Sequence, residues 1–239
     1  MKTIKSILTL FVLSLAFTTV SCDNEPVDPA LDLSAGGGGS SSGDYWPTAI
    51  NNEWIMERDG VALDPIKIIG TGSFGGQTYY KFAPQSGSGS TTSGSATTWL
   101  NKSNGVYKLK TDDININAGG LTGTQTGYEF IILKDNIAVG QSWNGTYTQT
   151  TTYTGIPSIT LTINYTGTIL AKNVSATVDG ETYNDVIKVS FVQNTSMPGA
   201  PPTTINSEYW FAKDVGVIKS ISNDSGTIYE SILVDYTLF

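Results

Sequence analysis

Thr160-Leu161-Thr162-Ile163-Asn164-Tyr165-Thr166 alternates polar and apolar residues without a break, and Val186-Ile187-Lys188-Val189-Ser190-Phe191-Val192 does the same after one extra apolar residue at its start. A period of two marks a strand with one buried face, because successive side chains leave opposite sides of the pleat. Outward from this pair, short segments of like character recur at Glu53 to Glu57, Ile66 to Ile69, Thr78 to Phe82, Thr98 to Asn101, Val106 to Lys110, Tyr128 to Leu133, Ser142 to Tyr153, Thr168 to Lys172, Glu208 to Ala212, Val217 to Ile221 and Ile228 to Tyr236. Asp59-Gly60, Asn104-Gly105 and Asp179-Gly180 stand between such segments. Asn-Gly and Asp-Gly supply the positive φ angles of tight hairpins, so the pattern predicts antiparallel neighbours. No segment keeps a helical period over ten residues. The expected class is all-β: a single antiparallel domain built as a half-barrel or barrel-like curved sheet, with a β-sandwich as the alternative.

The composition narrows the chemistry. Of 239 residues 39% are apolar and 14% charged, with 13 basic residues against 21 acidic ones, no His and one Cys. A net charge of −8 argues against a nucleic-acid groove. Without His there is no imidazole base and no Ser-His-Asp site, and one Cys forms neither an intrachain disulfide nor a thiolate cluster. No cofactor or metal motif stands out: Asp28, Asp32, Asp179, Asp185, Asp214 and Asp224 match no calcium-loop spacing, and turn capping is the better account of them. Asp112-Asp113 is the densest acidic pair, but adjacent strand residues face opposite ways and adjacent loop residues stay solvated. A carboxylate-dependent hydrolase is kept as an alternative that needs two acids across a cleft. The leading expectation is a protein that is not an enzyme.

The first segment is an address. Lys2 and Lys5 precede an apolar run from Ile7 to Val20, too short to span a bilayer but suited to a secretory signal. It ends in Thr19-Val20-Ser21-Cys22, which resembles a bacterial lipobox, with Thr19 where Leu is commonest. The resemblance implies a signal peptide at 1–21, cleavage before Cys22, and a diacylglycerol and acyl (palmitate) anchor on Cys22 that holds the protein to a membrane without a transmembrane helix. Asp23-Asn24-Glu25 resembles the surface-export signal of Bacteroidetes lipoproteins, so the expected place is the outer membrane, lipid-anchored and exposed at the cell surface, with the periplasmic side as the alternative. Removing Lys2 and Lys5 leaves 11 basic residues against 21 acidic ones, so lipid rather than charge is the anchor.

Residues 22–44 read as a flexible tether, with Ser34-Ala35-Gly36-Gly37-Gly38-Gly39-Ser40-Ser41-Ser42-Gly43 at its end. About 22 such residues have a root-mean-square reach of roughly 25 Å. The body is then 45–239. Within it, Gln85 to Thr98 is rich in Ser and Gly and reads as a long mobile loop, and Met197-Pro198-Gly199-Ala200-Pro201-Pro202 as a loop where the chain crosses a sheet edge. Trp54 and Trp143 each follow an Ala by five residues at the start of a strand and read as core plugs.

Aromatics are the suggestive inventory: 5 Trp and 12 Tyr, with runs at Tyr45-Trp46, Tyr79-Tyr80 and Tyr209-Trp210-Phe211. Neighbours on a strand face opposite ways, so a layer with such runs is either covered on both sides or presents a binding surface. Trp46, Trp99 and Trp210 are the candidate ligand-binding residues. An exposed row of the three favours an accessory glycan-binding protein; an apolar concavity favours a carrier of an apolar ligand.

Tyr45-Trp46-Pro47-Thr48-Ala49-Ile50-Asn51-Asn52-Glu53-Trp54 resembles the opening of uncharacterised Bacteroidetes lipoproteins. Tyr183-Asn184-Asp185-Val186-Ile187-Lys188-Val189 and Tyr209-Trp210-Phe211-Ala212-Lys213-Asp214-Val215-Gly216-Val217-Ile218-Lys219 resemble the signature strands of TapB-like envelope proteins. This resemblance implies a curved antiparallel sheet of the LolA/LolB half-barrel kind, whose concave side holds lipid or another apolar molecule, with no catalytic residues. The expected partners are therefore the membrane, through the lipid anchor, and an apolar ligand, a glycan or another envelope protein. Gly216 is expected at positive φ in the turn between the Phe211 and Ile218 strands.

Overall fold

The computed structural model describes residues 41–86, 92–93, 95–118 and 121–239. The expected signal peptide at 1–21, Cys22, most of the expected tether with Asp28 and Asp32, and the centre of the Ser/Gly stretch lie outside them. The strands in chain order are β1 (Glu53–Arg58), β2 (Val61–Ala62), β3 (Ile66–Phe74), β4 (Gln77–Phe82), β5 (Gln85–Ser86), β6 (Thr92–Ser93), β7 (Ser95–Ala96), β8 (Thr98–Ser103), β9 (Val106–Thr111), β10 (Ile114–Ala118), β11 (Leu121–Gln125), β12 (Tyr128–Lys134), β13 (Ser142–Tyr153), β14 (Ile156–Val178), β15 (Glu181–Ser196), β16 (Thr203–Ala212), β17 (Gly216–Asp224) and β18 (Thr227–Thr237). All pairings are antiparallel, and 16 strands form one curved sheet in the order β12-β9-β8-β4-β3-β1-β18-β17-β16-β15-β14-β13-β11-β10-β6, with β2 alongside β1. The class read from the two alternating segments is the class observed.

The turns behave as their residues dictate. Asp59-Gly60, Asn104-Gly105 and Asp179-Gly180 all have positive φ at both positions and close the β1/β2, β8/β9 and β14/β15 hairpins. Two expectations are corrected. Met197 to Pro202 crosses no edge; it joins β15 to its sheet neighbour β16, the prolines lying beyond the last ladder pair at Thr195 and Thr203. The Ser/Gly stretch is not wholly loop, since β5 pairs with β7 and β6 adds to β10.

The sheet is not closed by ladder bonds, and its edge is managed by side chains. β12 lies across from β13 and β14, where the Trp143 indole N–H donates to the Ile131 carbonyl (2.9 Å) and the Ile131 N–H donates to the Tyr165 hydroxyl (3.2 Å). Trp143 is paired across strands with Gly167, and Tyr165 with Gly145. A Cβ on either glycine would collide with the facing ring. An exposed strand edge invites pairing with other chains, and these two side chains occupy it instead.

One end of the curved sheet is plugged. Tyr45 and Trp46 precede β1 and are buried. The Tyr45 N–H donates to the Tyr107 hydroxyl, and the Trp54 indole donates to the Val215 carbonyl. Gly216 has φ 121°, and a Cβ there would come 3.1 Å from Trp54 Nε1, so the expected positive-φ position is confirmed with a packing reason added. Register shifts after Ile169, Ala171 and Val174 bend β14, and the bent hairpin carries Ala176, Val178 and Tyr183 into the same core. At the opposite end, at the starts of β12 and β16 and the ends of β1, β13, β15 and β17, no aromatic pair like Tyr45 and Trp46 stands among the described residues, yet Gln149, Thr151, Ser222 and Ser231 there are almost fully buried.

Candidate functional site

The concave face carries an unbroken relay of rings. Trp46 contacts Phe82 and Phe211 (centroids 5.7 and 6.1 Å), and Phe211 leads through Tyr209 (6.3 Å) to Phe191 (6.2 Å). Phe191 lies against Tyr165 (5.3 Å) and Phe130 (5.5 Å), and Tyr147 stacks on Tyr128 at 4.7 Å. Alternation puts these rings on one side: Tyr209 and Phe211 point inward from β16, and Trp210 between them points out. The plugged end of the relay is fully packed. Towards the open end Tyr128, Phe130 and Tyr209 stay partly exposed, although burial raises the pKa of Tyr128 and pushes Tyr209 up to about 12. We read this partly exposed aromatic stretch of the concave face as a recess.

Around that recess the inner face turns polar. Gln149 and Thr151 follow Tyr147 on the inner side of β13, and both are almost fully buried. Gln149 Oε1 and Thr151 Oγ1 have no hydrogen-bond partner. A buried polar atom without a partner costs about 1–3 kcal/mol; Trp46 Nε1, Asn52 Nδ2, Asp135 Oδ1 and Asn136 Oδ1, away from the recess, share that state. Gln193 donates to the Tyr147 hydroxyl (2.9 Å), whose pKa burial raises strongly. At neutral pH these phenols are uncharged hydrogen-bonding groups, unsuited to act as bases. On β16 to β18 the inner positions are small hydroxyls, Ser207, Ser220, Ser222 and Ser231. Arg58, at the end of the inward Trp54-Met56-Arg58 series, donates from Nε to Ser231 Oγ (3.0 Å) and lies over the Tyr229 ring (5.5 Å).

The three candidate tryptophans do not form a row. Trp46 is in the core, 6% exposed. Trp99 and Trp210 lie on the convex face, on β8 and β16, with β4, β3, β1, β18 and β17 between them. Both are engaged by their own neighbours. The Trp99 indole donates to Asp112, its ring meets Phe74 edge-on (5.0 Å), and Lys81 approaches its face (5.4 Å). Trp210 donates to Glu208 and is flanked by Lys188 (3.7 Å) and Lys219 (5.1 Å) from the strands on either side. Lysine stems lying over a ring cover the face a sugar would stack on.

The acids likewise have structural employment. Burial works against the charge of Asp112, but Lys110 and the Trp99 N–H outweigh it and hold its pKa below the ordinary value. Asp113 accepts from the Gly127 N–H at a turn. Asp179, Asp185 and Asp214 occupy positive-φ turn or bulge positions. At the start of the body, fully buried Asp135 accepts from Ser41 Oγ (2.7 Å) and the Tyr107 hydroxyl (3.2 Å), and Asp44 pairs with Lys102 (2.6 Å). Ser41 to Asp44, the last residues of the expected tether, thus lie against the body beside a groove of about 240 Å³ lined by Lys102, Asn104 and Tyr107. Among the described residues no group of three or more His, Cys, Asp or Glu is placed to hold a metal ion, and no helix is long and apolar enough to cross a membrane.

Alternation on single strands points to Arg58 and Gln149, since Trp54-Ile55-Met56-Glu57-Arg58 places the chain's only arginine on the Trp54 face. Tyr209 stands in an aromatic run singled out in the sequence, but its contact with Phe191, like that of Tyr128 with Tyr147, comes from packing between strands that alternation along one strand does not contain.

No family model and no curated protein matches the sequence. Two solved structures are similar in fold. One, from Parabacteroides distasonis and described as a lipoprotein, is 9% identical with a TM-score of 0.48, over 83% of this chain and 99% of its own. The other, from Bacteroides fragilis and described as an exported protein with a YmcC-like fold, is 8% identical with a TM-score of 0.45, over 82% of this chain and 100% of its own.

Proposed function

We propose that this chain is a non-catalytic lipoprotein of the bacterial outer membrane, anchored through acylated Cys22 and displayed at the cell surface, whose concave face receives a small ligand with an apolar or aromatic body. The observation that carries the reading is the recess: an aromatic relay, packed at the plugged end, that becomes partly exposed at Tyr128, Phe130 and Tyr209 beside two buried oxygens lacking partners. The glycan alternative is weakened by the lysine cover on Trp99 and Trp210. The carboxylate-dependent hydrolase finds no support in Asp112, Asp113 or Glu129, each of which is engaged by an N–H, a hydroxyl or a lysine.

Native mass spectrometry of the full chain, extracted from its host's membranes in non-ionic detergent, tests both parts. A diacylglyceryl increment at the N-terminal Cys22 is expected, together with a bound small molecule that a Tyr128→Ala, Tyr209→Ala variant no longer carries. An unmodified thiol at Cys22 refutes the anchor. Identical spectra from the native and variant proteins refute the site.

A further inference from the structure

We infer that the recess selects a ligand bearing a carboxylate, which Arg58 receives at the open end while the ligand's flat or apolar body lies over Tyr209 and its ring neighbours; this rests on the ligand site proposed above. Arg58 is the only arginine among 13 basic residues. The five ion pairs of the described residues all use lysine, on Glu53, Asp44, Glu129, Asp112 and Glu230. Arg58 has no carboxylate partner among the described residues, although the chain carries 21 acids.

Its place makes this informative. Arg58 shares the inner face with Trp54 and Met56, both buried, and is itself only partly exposed. Nε is used by Ser231, and Tyr229 supports one face of the guanidinium. The planar fork is thereby fixed while its two terminal nitrogens donate to no protein atom among the described residues. The acid that register places on this face of β17 is Asp224, opposite Ile205 and Thr227, and its Oδ1 accepts from Ser225 instead. A half-buried, oriented guanidinium without an acid suits bidentate recognition of a planar carboxylate.

The register then gives the direction of the ligand. Ser231 pairs with Ser220 and Ser220 with Tyr209, so a straight row runs from Arg58 over two serines to Tyr209 in the relay. Two strand spacings separate Ser231 from Tyr209, about 10 Å. Both serines are small and almost fully buried, so the ligand has to enter between the facing layers to reach their hydroxyls.

Isothermal titration of the full lipidated chain in phosphatidylcholine nanodiscs, with empty nanodiscs as the blank, tests the inference with 2-naphthoate and its neutral isostere 2-naphthamide. The acid should bind about tenfold or more tightly than the amide, as expected of a charge-assisted hydrogen-bonded pair. Arg58→Gln should abolish that preference while amide binding persists, and Arg58→Lys should restore part of it. Equal binding of acid and amide to the native protein, or an acid preference that survives Arg58→Gln, overturns the carboxylate site and leaves the aromatic site standing. Binding of neither probe overturns both.

Discussion

At the scale of single residues, the glycines of the strands separate into those that are required by a neighbour and those that are not. Gly167 lies under the Trp143 ring and Gly145 under Tyr165, in each case as direct cross-strand partners. An aromatic laid over a facing glycine recovers buried area that the bare backbone would leave open. Gly70, in β3, has no neighbour within 4 Å of the place a Cβ would take, and no positive φ. Gly167→Ala should therefore cost about 1–3 kcal/mol by overpacking, and Gly70→Ala should be neutral or gain up to about 1 kcal/mol from the reduced freedom of the unfolded chain. Urea unfolding of the two variants checks this, and equal midpoints would show that the Trp143 contact is slack. None of this is legible in the sequence, where Gly145, Gly167 and Gly70 look alike. What distinguishes them is register, a long-range property that alternation along one strand does not contain. The same holds for Trp46. It sits in an aromatic run like the exposed-looking Tyr209-Trp210-Phe211, but it precedes β1 and packs across the sheet's end onto Phe82 and Phe211, where strand alternation has no say.

At the scale of elements, the long hairpins were readable because their periodicity is sustained. Ser142–Tyr153 has the bounds expected for it, and the two separate expectations at Thr160 to Thr166 and Thr168 to Lys172 merge into β14. Gly167 between them does not break the ladder, since its pairing with Trp143 and Phe191 is intact. β10 and β11 are not among the expected strands, although Ile114-Asn115-Ile116-Asn117 alternates with period two; both are short, and β11 extends the sheet by pairing with the end of β13. The other edge, β12, is the element whose integrity depends on side chains. Its Ile131 N–H has the Tyr165 hydroxyl as acceptor, and its carbonyl has the Trp143 indole as donor. Tyr165→Phe removes the acceptor while keeping the ring that packs on Phe191. The Ile131 amide should then exchange with solvent about tenfold faster, in line with a net hydrogen-bond contribution of about 1 kcal/mol. Amides of β15 and β16 should keep their rates. Hydrogen exchange read residue by residue gives the answer, and an unchanged Ile131 rate would mean that β12 is held by packing alone.

For the whole molecule, raised phenol pKa values recur from the plugged end through the concave relay to the outer face. Tyr107 sits where Gly43, Tyr45 and Asp135 meet, at the plugged end. Tyr147 and Tyr209 lie in the concave relay, and Tyr79 on the outer face donates to Glu129. Burial is the largest cause of the raised pKa in all four, with Glu129 adding to it at Tyr79 and Asp135 at Tyr107. Tyr79 and Tyr209 are pushed from 10.0 up to about 12, and Tyr107 and Tyr147 go higher still. In the unfolded chain each of these groups loses its proton near the ordinary value, so above it the native state holds more protons than the unfolded one. Stability then falls as pH rises, because its slope follows the protons bound unfolded minus those bound native. The contribution is whole below pH 10 and is lost progressively as pH climbs towards the native values. With no His in the chain, no imidazole changes charge in the pH window that histidine governs. A thermal-unfolding series should therefore show a steep decline in Tm above pH 10, and tyrosinate absorbance should rise in two steps. Exposed phenols ionise first, without structural change, and the buried set ionises together with the loss of β circular dichroism. A single smooth ionisation near pH 10 with the β signal intact would show that these phenols are open to solvent, and the packed relay from which the recess is read would not exist.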